Sequence, residues 1–462
     1  MLNRQDSEHI FERIWELSSA DEIEALFYGG RFSLTRFANN VIHQNVSEEN
    51  SGVSIRTVFG GRTARASTNK LDDESLKRAV EASEALARVQ QPDPDLLPMP
   101  TSCGAGAALR GQVPSRHFPS TAAITAEDRA EHVRRIVAVA KQNKLTTAGV
   151  SSSAESVEGI FNSRGLSDWH EQTSAEISIT MLAPDSSGWA KANSPDVAQL
   201  NPAKLAETAA SKAIRSAHPR ELAPGKYTVI LEPAAVLDIV GFMFWDFSGQ
   251  SLLDERSFLN NRIGTKLFGE NINIWDDVSH PLQTNSPYDG EGMCRQRVHL
   301  VENGVVKRVV YARATAEKMK RSAMAAGVGP VEATGHGFAL PNEMGEAPLN
   351  IVFGGPEKAQ TTKEMIASTE RGILVTRLWY IREVDPYEKL MTGMTRDGTF
   401  LIENGKVNAG LRHFRFNESL IHMLSNVEAM SEPVRSTGEE SFDMVVPAMK
   451  VREFNFTEVT KF

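Results

Sequence analysis

The stretch KYTVILEPAAVLDIVGFMFWDFSGQSLLDERSFLNNRIGTKLFG, residues 226–269, contains the sharpest change of predicted secondary structure in the chain. Alternating β-branched and aromatic residues predict a strand that ends at Leu231. Glu232-Pro233 then stops the strand, because proline lacks the N–H that strand pairing needs, and proline also suits the first turn of a helix. Almost every residue from Ala234 to Trp245 is apolar, which predicts a helix that is buried on all sides.

One charged residue, Asp238, lies inside this apolar helix. An unpaired buried carboxylate is costly. We therefore expect Asp238 to meet an arginine or a backbone donor, or to be protonated, and a structural partner is favoured. Asp246, Asp254 and Glu255 follow the helix and could in principle supply an acid/base pair. Nothing in their spacing requires such a pair, and solvated helix ends are the favoured interpretation.

Three motifs in and after this stretch carry a resemblance to a known family: VILEPAAV (229–236), SFLNNRIGTKL (257–267) and WDDVSHP (275–281). They resemble the TldD/PmbA (TldD/TldE) peptidases, which are also called modulators of DNA gyrase. The resemblance extends over nearly the whole chain and is weakest in residues 91–120. It implies a proteolytic role.

Catalytic TldD-type members of this family carry a zinc motif, His-Glu-x-x-x-His, on the helix after the strand. Counted back from the matched motif at 257–267, its three working positions fall at about Val240, Gly241 and Trp245. Zinc needs imidazole, thiolate or carboxylate ligands, and hydrolysis needs a carboxylate base. None of the three residues supplies either, so the chain resembles the PmbA/TldE branch.

The resemblance implies a division of labour between two chains. TldE-type chains pair with TldD-type chains that hold the zinc, and the assembly cleaves extended or unfolded peptides. We therefore expect no cofactor in this chain and a TldD-like partner in a heterodimer, with a homodimer as the alternative. We also expect Trp245 to fill the space of the missing metal site, although simple core packing is the competing interpretation.

Two other functions stay open at this point. The first is a metallopeptidase or hydrolase with metal ligands elsewhere, and His280, Cys294 and His299 form the only His/Cys cluster in the sequence. Their spacing matches no zinc pattern. The second is a scaffold or binding protein that modulates a partner such as a topoisomerase. His336, between two glycines, is a candidate residue of the substrate groove, with a plain turn as the alternative.

Composition limits the partners and the location of the protein. The net charge is −9, which argues against nucleic-acid binding because such proteins usually present a basic patch. Two cysteines in 462 residues are typical of a reducing compartment. No signal peptide is recognised, and polar residues interrupt the most apolar window, so we expect a cytoplasmic protein without a membrane span.

The rest of the sequence predicts two similar units followed by a β-rich domain. Residues 1–90 and 121–224 each have the order helix, strand meander, helix, and we expect a degenerate duplication that shares one sheet. The Pro- and Gly-rich residues 91–120 are predicted to be a linker. Residues 225–462 form the predicted C-terminal domain.

Within the C-terminal domain, Asn-Gly pairs at 303–304 and 404–405 predict two hairpins, and residues 416–426 are predicted to be helical. The predicted fold class is α+β. Helices pack on an antiparallel sheet in the N-terminal part, and a barrel- or sandwich-like domain follows.

Overall fold

The computed structural model describes residues 1–460, and its N-terminal part is built on one antiparallel sheet. The first unit contains α1 (Arg4–Leu17), β1 (Glu22–Ala38), β2 (Val41–Phe59), β3 (Arg62–Thr68) and α2 (Asp73–Val89). The second unit contains α5 (Ala126–Gln142), β4 (Thr146–Asn162), β5 (Ser167–Ala183), β6 (Ser186–Ser194) and α6 (Pro202–Arg215). Two short helices, α3 (Ala107–Arg110) and α4 (Pro119–Ala122), lie between the units.

The strand order of this sheet is β3-β2-β1-β4-β5-β6, so the first strand of each unit pairs with the other at the centre. Both units therefore share one sheet, as the repeated order of elements predicted. A common origin by duplication stays a prediction. Alternate residues of β1 point to opposite faces: Ala25 and Phe27 pack under α1 and α2, whereas Glu24 and Leu26 project from the other face.

Residues 91–120 are anchored on the C-terminal half of the molecule. A disulfide joins Cys103 to Cys294, and the Cys294 N–H also donates to the Cys103 carbonyl at 2.7 Å. The buried guanidinium of Arg116 donates to three backbone carbonyls of residues 278–281. Disulfides are rare in reducing compartments, so this bond was not expected from the predicted location. The location of the protein stays a prediction.

The C-terminal half contains short helices and many strands. Its helices are α7 (Pro233–Val240), α8 (Gly249–Leu253), α9 (Arg313–Arg321), α10 (Thr362–Ala367) and α11 (Leu420–Ser425). Its strands are β7 (Gly225–Leu231), β8 (Ile274–Asp276), β9 (Val298–Glu302), β10 (Val305–Val306), β11 (Ile351–Phe353), β12 (Arg371–Asp385), β13 (Leu390–Glu403), β14 (Lys406–Gly410), β15 (Phe414–Ser419), β16 (Val427–Met430), β17 (Val434–Ser436), β18 (Met444–Val446) and β19 (Met449–Val459). Four 3₁₀ segments complete the description: Gly104–Gly106, Val197–Gln199, Gly241–Asp246 and Ala323–Gly327.

Five of these strands close into a barrel. The pairs run β12-β7-β19-β15-β13, and β13 pairs with β12 to complete the circle. A second sheet has the order β10-β9-β8-β11-β18-β17. The α+β class, with a helix-covered antiparallel sheet and a β-rich barrel domain, is therefore confirmed. No helix within residues 1–460 is long and apolar enough to cross a bilayer.

Both predicted hairpins are present, and one predicted helix is wrong in part. Asn303 and Asn404 adopt positive φ values of 49° and 51°, each followed by a glycine of positive φ, as this tight turn requires. Residues 416–419 belong to β15, where burial alternates with a period of two, and the helix begins only at Leu420. The apolar residues of this segment therefore follow the strand pattern first and the helical pattern afterwards.

Candidate functional site

The predicted buried helix lies at the heart of the C-terminal core. β7 runs between β12 and β19 of the barrel, and the chain turns at Glu232 into α7. Residues 235–240 of α7 are all buried. After Val240 the helix tightens to 3₁₀ geometry as far as Asp246. The predicted helix over 234–245 is therefore two segments of different pitch.

The three positions of the family's zinc motif do not form a metal site in this chain. Val240 is fully buried among apolar side chains. A Cβ atom on Gly241 would overlap the hydroxyl of Ser441, so the space that a glutamate would need is already filled. Trp245 offers no lone pair suited to zinc. The residues present therefore do not fit the zinc that the family resemblance implies for catalytic members.

Trp245 does not fill the space of the missing metal site, contrary to the prediction. Its side chain is 48% exposed and stacks on Phe338, with ring centroids 6.4 Å apart. The change from 3.6 to 3.0 residues per turn after Val240 alters the direction in which residue 245 projects. Trp245 therefore lies at the rim of a surface cleft, and the obstruction at Gly241 comes from Ser441 instead.

Asp238 has the backbone partners that its burial required. Its Oδ1 accepts the N–H groups of Glu439 and Glu440, each at 3.1 Å. Burial raises the pKa of the Asp238 carboxyl to about 6, and the two backbone donors oppose that rise. The prediction of a structural partner is confirmed. Asp238 holds the loop that carries Ser441 against the end of α7.

The cleft beside Trp245 has a volume of about 380 Å³ and a charged floor. The ammonium group of Lys389 is buried there and forms ion pairs with Asp246 and Glu383. Burial raises the pKa of the Asp246 carboxyl, and the charge of Lys389 acts against that rise. Asp246 is thus a buried ion-pair partner, and the expectation of a solvated helix end is wrong for this residue.

A second buried carboxylate, Glu346, borders the same cleft. Its Oε1 accepts the Ser248 hydroxyl at 2.8 Å and the Gln250 N–H at 2.9 Å, and its Oε2 accepts the Ala312 N–H at 3.0 Å. These donors lie at the beginnings of α8 and α9, where N–H groups have no partner within the helix. Burial raises the pKa of the Glu346 carboxyl. Its contacts are those of a structural cap.

His336 is buried beside the Asp276 carboxylate. Its Nε2 lies 3.0 Å from Asp276 Oδ1 and its Nδ1 lies 3.0 Å from the Thr334 hydroxyl. Burial works against the charge on Asp276, but the interaction with His336 keeps the pKa of that carboxyl below its ordinary value. His336 is 1% exposed. Its place in a substrate groove stays a prediction.

The His/Cys cluster of the sequence does not form a metal site. Cys294 is bonded to Cys103, and His299 packs against the ring of Trp275 with centroids 5.9 Å apart. Across residues 1–460, no group of three or more His, Cys, Asp or Glu side chains is arranged to hold a metal ion. The hypothesis that used His280, Cys294 and His299 as ligands therefore has no support in the geometry.

Sequence inspection missed the residues that shape this region most. Lys389 and Ser441 are far along the chain from the 3₁₀ segment Gly241–Asp246, and each meets that segment only through long-range packing. Lys389 has a positive φ of 46°, and its side chain lines the cleft. A lysine beside a strand has no pattern that would indicate burial, so no sequence signal was available.

Known proteins resemble this chain over nearly its whole length. The chain is 27% identical over 172 residues to an uncharacterized protein of Methanocaldococcus jannaschii, an alignment that covers 37% of this chain and 40% of that protein. It is 21% identical over 427 residues to metalloprotease PmbA of Escherichia coli O157:H7, with 88% of this chain and 87% of that protein covered. The crystal structure of TldE from Thermococcus kodakarensis has the same fold, with a TM-score of 0.84, 20% identity and coverage of 98% and 99%.

Three family profiles match consecutive parts of the chain. Residues 23–87 match domain 1 of the PmbA/TldA metallopeptidases, residues 119–217 match their central domain, and residues 224–458 match their C-terminal domain. Together they account for most of the sequence. The chain therefore belongs to the PmbA/TldA metallopeptidase family, the TldD/PmbA family that its motifs resemble.

Proposed function

We propose that this chain is the non-catalytic, TldE-type subunit of a peptidase that degrades extended or unfolded peptides. In this proposal a TldD-type chain is the partner in a heterodimer and holds the zinc, whereas this chain needs no cofactor. This chain contributes stability and part of the surface along which the peptide lies. We further propose that the assembly works in the cytoplasm.

The observation that carries the proposal is the packing at Gly241. The position that would hold a general base has no room for a side chain, because Ser441 occupies the adjoining space. Val240 is fully buried in the core, whereas Trp245 is about half exposed at the surface. A family member built in this way has lost the motif and also the space that the motif needs.

The surface beside these positions is suited to contact with another chain. Trp245 is 48% exposed and Met344 is 59% exposed, and both line the cleft above the buried Lys389. Aromatic and methionine side chains are enriched where proteins meet. This supports a role of the cleft in docking a partner subunit or an extended peptide.

Reconstitution tests the proposal directly. The chain is purified alone, the TldD-type chain from the same organism is purified alone, and zinc content and cleavage of an unfolded fluorescent polypeptide are measured for each and for the mixture. We expect zinc only in the TldD-type chain, a stable complex by size-exclusion chromatography, and cleavage by the mixture well above that of either chain.

Two results would overturn the proposal. Stoichiometric zinc in this chain together with cleavage by this chain alone would establish the alternative of an independent hydrolase. Absence of any complex with the TldD-type chain, with equal cleavage before and after mixing, would remove the subunit role. The scaffold alternative predicts salt-sensitive DNA or topoisomerase binding, for which the net charge of −9 offers no support.

A further inference from the structure

The disulfide between Cys103 and Cys294 ties an exposed part of the connection between the two N-terminal units to a loop of the C-terminal half. This exposed part, residues 101–114, is called the strap. It contains the short helix α3, and Gly106 is the one residue of the strap that is buried. A Cβ atom on Gly106 would overlap Cys294 O, so the strap backbone rests directly on the backbone at Cys294. Glycine is the residue that permits so close an approach.

Both ends of the strap are held independently of the disulfide. Just before the strap, the Asn162 side chain donates to Pro100 O at 2.8 Å. Just after it, the buried guanidinium of Arg116 donates to three backbone carbonyls of residues 278–281, and Arg116 O accepts the Thr173 N–H at 2.9 Å. Loss of the disulfide would leave these ends in place, so the resulting movement would be confined to the strap.

Between these ends, the disulfide is the main attachment of the strap. Within residues 1–460, one other hydrogen bond and one ion pair join the strap to the rest of the fold. The Cys294 N–H donates to Cys103 O at 2.7 Å, and Arg110 pairs with Asp168. The Arg110 side chain is 32% exposed, so water weakens its ion pair. A single hydrogen bond also contributes little, and the covalent bond therefore does most to keep the strap closed.

The two cysteines differ in exposure. Cys294 is 1% exposed, whereas Cys103 is only half-buried. A thiolate reduces a disulfide by attacking one of its sulfur atoms, and the rate depends on access to that atom. Attack is therefore expected at Cys103. The sequence has no third cysteine, so the attacking thiol must come from another molecule.

We propose that the Cys103–Cys294 bond is a thiol–disulfide exchange site, at which a dithiol opens the strap and a small disulfide closes it again. One thiolate of the dithiol attacks Cys103 Sγ to form a mixed disulfide, and Cys294 leaves as a thiolate and takes up a proton. The second thiol of the dithiol then displaces Cys103, which also takes up a proton. The protein disulfide gains two electrons and two protons, and the dithiol loses them as it becomes a disulfide. Closure is the reverse exchange with a small disulfide as the oxidant.

Opening of the strap would change the surface beneath it. The Arg110 guanidinium lies over the Tyr288 ring, 6.0 Å from its centroid, and Asp168 is 2% exposed. An open strap would uncover both residues and leave Asp168 without its arginine. Such a device is consistent with the expected cytoplasmic location, because disulfides in the cytosol are usually transient and redox-sensing. The proposal does not rest on the proposed subunit role, so failure of either leaves the other in place.

Alkylation of the folded full chain tests the exchange chemistry. The chain is incubated with dithiothreitol, which is a dithiol, and free thiols are then alkylated in denaturant and counted by intact mass. We expect no alkyl group before this treatment and two after it, one for each cysteine. After removal of dithiothreitol and addition of oxidised glutathione, we expect the count to return to zero.

Hydrogen–deuterium exchange of the oxidised and reduced chains tests the structural consequence. We expect amide exchange in the strap to become about tenfold faster or more on reduction, whereas exchange in α5 stays unchanged. The double variant Cys103→Ser, Cys294→Ser should show fast exchange in the strap with or without dithiothreitol. Asp168→Asn removes the ion pair and keeps the disulfide, so exchange in its oxidised strap should stay within about threefold of the parent chain.

Three results would overturn the proposal. They are a disulfide that dithiothreitol does not reduce in the folded chain, a reduced chain that oxidised glutathione does not close, and exchange that is unchanged in the strap or accelerated equally in the strap and α5. In the last case the bond is a permanent part of the fold. Thermal unfolding curves establish that each variant is folded. If the double serine variant does not fold, the parent chain with and without dithiothreitol still decides the outcome.

Discussion

Ser441 lies against Gly241 at the place where any larger side chain on Gly241 would have to go. The loop that carries Ser441 is held by Asp238, which accepts the N–H groups of the two residues just before it. The obstruction is therefore part of the hydrogen-bonded structure around α7. This chain therefore lacks the metal motif in two respects. The ligand side chains are absent, and Ser441 fills the space next to Gly241 that a larger side chain would need.

Restoring the motif should not restore a metal site. We expect the triple variant Val240→His, Gly241→Glu, Trp245→His to bind no zinc and to lose about 3 kcal/mol or more of unfolding free energy, because overpacking and a buried charge are both costly. Zinc content by mass spectrometry and urea unfolding measure the two effects. The single variant Trp245→His is the control, and its exposed position predicts a change within about 0.5 kcal/mol. Zinc bound at one equivalent by the triple variant would contradict the steric interpretation.

Asp238 should make the chain less stable as the pH rises through weakly acidic values. Its pKa is raised from 3.8 to about 6 in the folded chain, so the folded state holds a proton that the unfolded state releases between these values. Stability from this group is therefore present below about pH 4 and is lost as the pH rises through about 6. A shift of about two pH units corresponds to about 3 kcal/mol.

Asp238→Asn should remove this pH dependence. The amide oxygen can still accept the two backbone N–H groups, and no charge remains to be desolvated, so we expect equal or greater stability than the parent chain at pH 7. Asp238→Ala leaves both N–H groups without an acceptor and should cost about 1–3 kcal/mol. Unfolding free energies from pH 4 to 8 test both variants. A parent curve parallel to that of Asp238→Asn would show that the carboxyl is ionised throughout.

Lys389 should be needed for folding stability because it is the buried counter-ion of Asp246. Lys389→Met leaves a buried carboxylate without its partner, and such a loss costs about 3–5 kcal/mol. The double variant Asp246→Asn, Lys389→Met removes both charges and should recover part of that loss. Lys141→Met, at an exposed position near the end of α5, is the matched control. Equal stability of Lys389→Met and Lys141→Met would refute the buried pair.

The sequence was sufficient where local pattern decides structure. The strand-to-helix change at Glu232-Pro233, the hairpins at Asn303 and Asn404, and the partner required by Asp238 all follow from adjacent residues or from a single buried charge. It was insufficient where distant segments meet. The pairing of Cys103 with Cys294, the burial of Lys389 and the contact between Ser441 and Gly241 depend on packing that no local period encodes.

The predicted helix over 234–245 was correct in its burial and wrong in its helical geometry. Apolar residues on all sides correctly predicted burial as far as Val240. They could not predict the tightening to a 3₁₀ helix at Gly241, which brings Trp245 to the surface. The space that Ser441 requires next to Gly241 constrains the backbone at this point, and glycine is the residue that tolerates so close an approach.

Trp245→Ala should show whether the indole beside the cleft serves in docking a partner or in packing the core. Since the indole is about half exposed, we expect the free energy of unfolding of the isolated chain to change by less than about 1 kcal/mol. Under the proposed subunit role, we expect a marked fall in complex formation with the TldD-type chain or in peptide cleavage by the mixture. Met344→Ala, at another exposed position of the same cleft, should act in the same direction, whereas the equally exposed Leu86→Ala on α2 should act on neither. If Trp245→Ala instead unfolds the chain and leaves assembly of the remaining folded protein unchanged, the indole belongs to the core and the cleft has no part in docking.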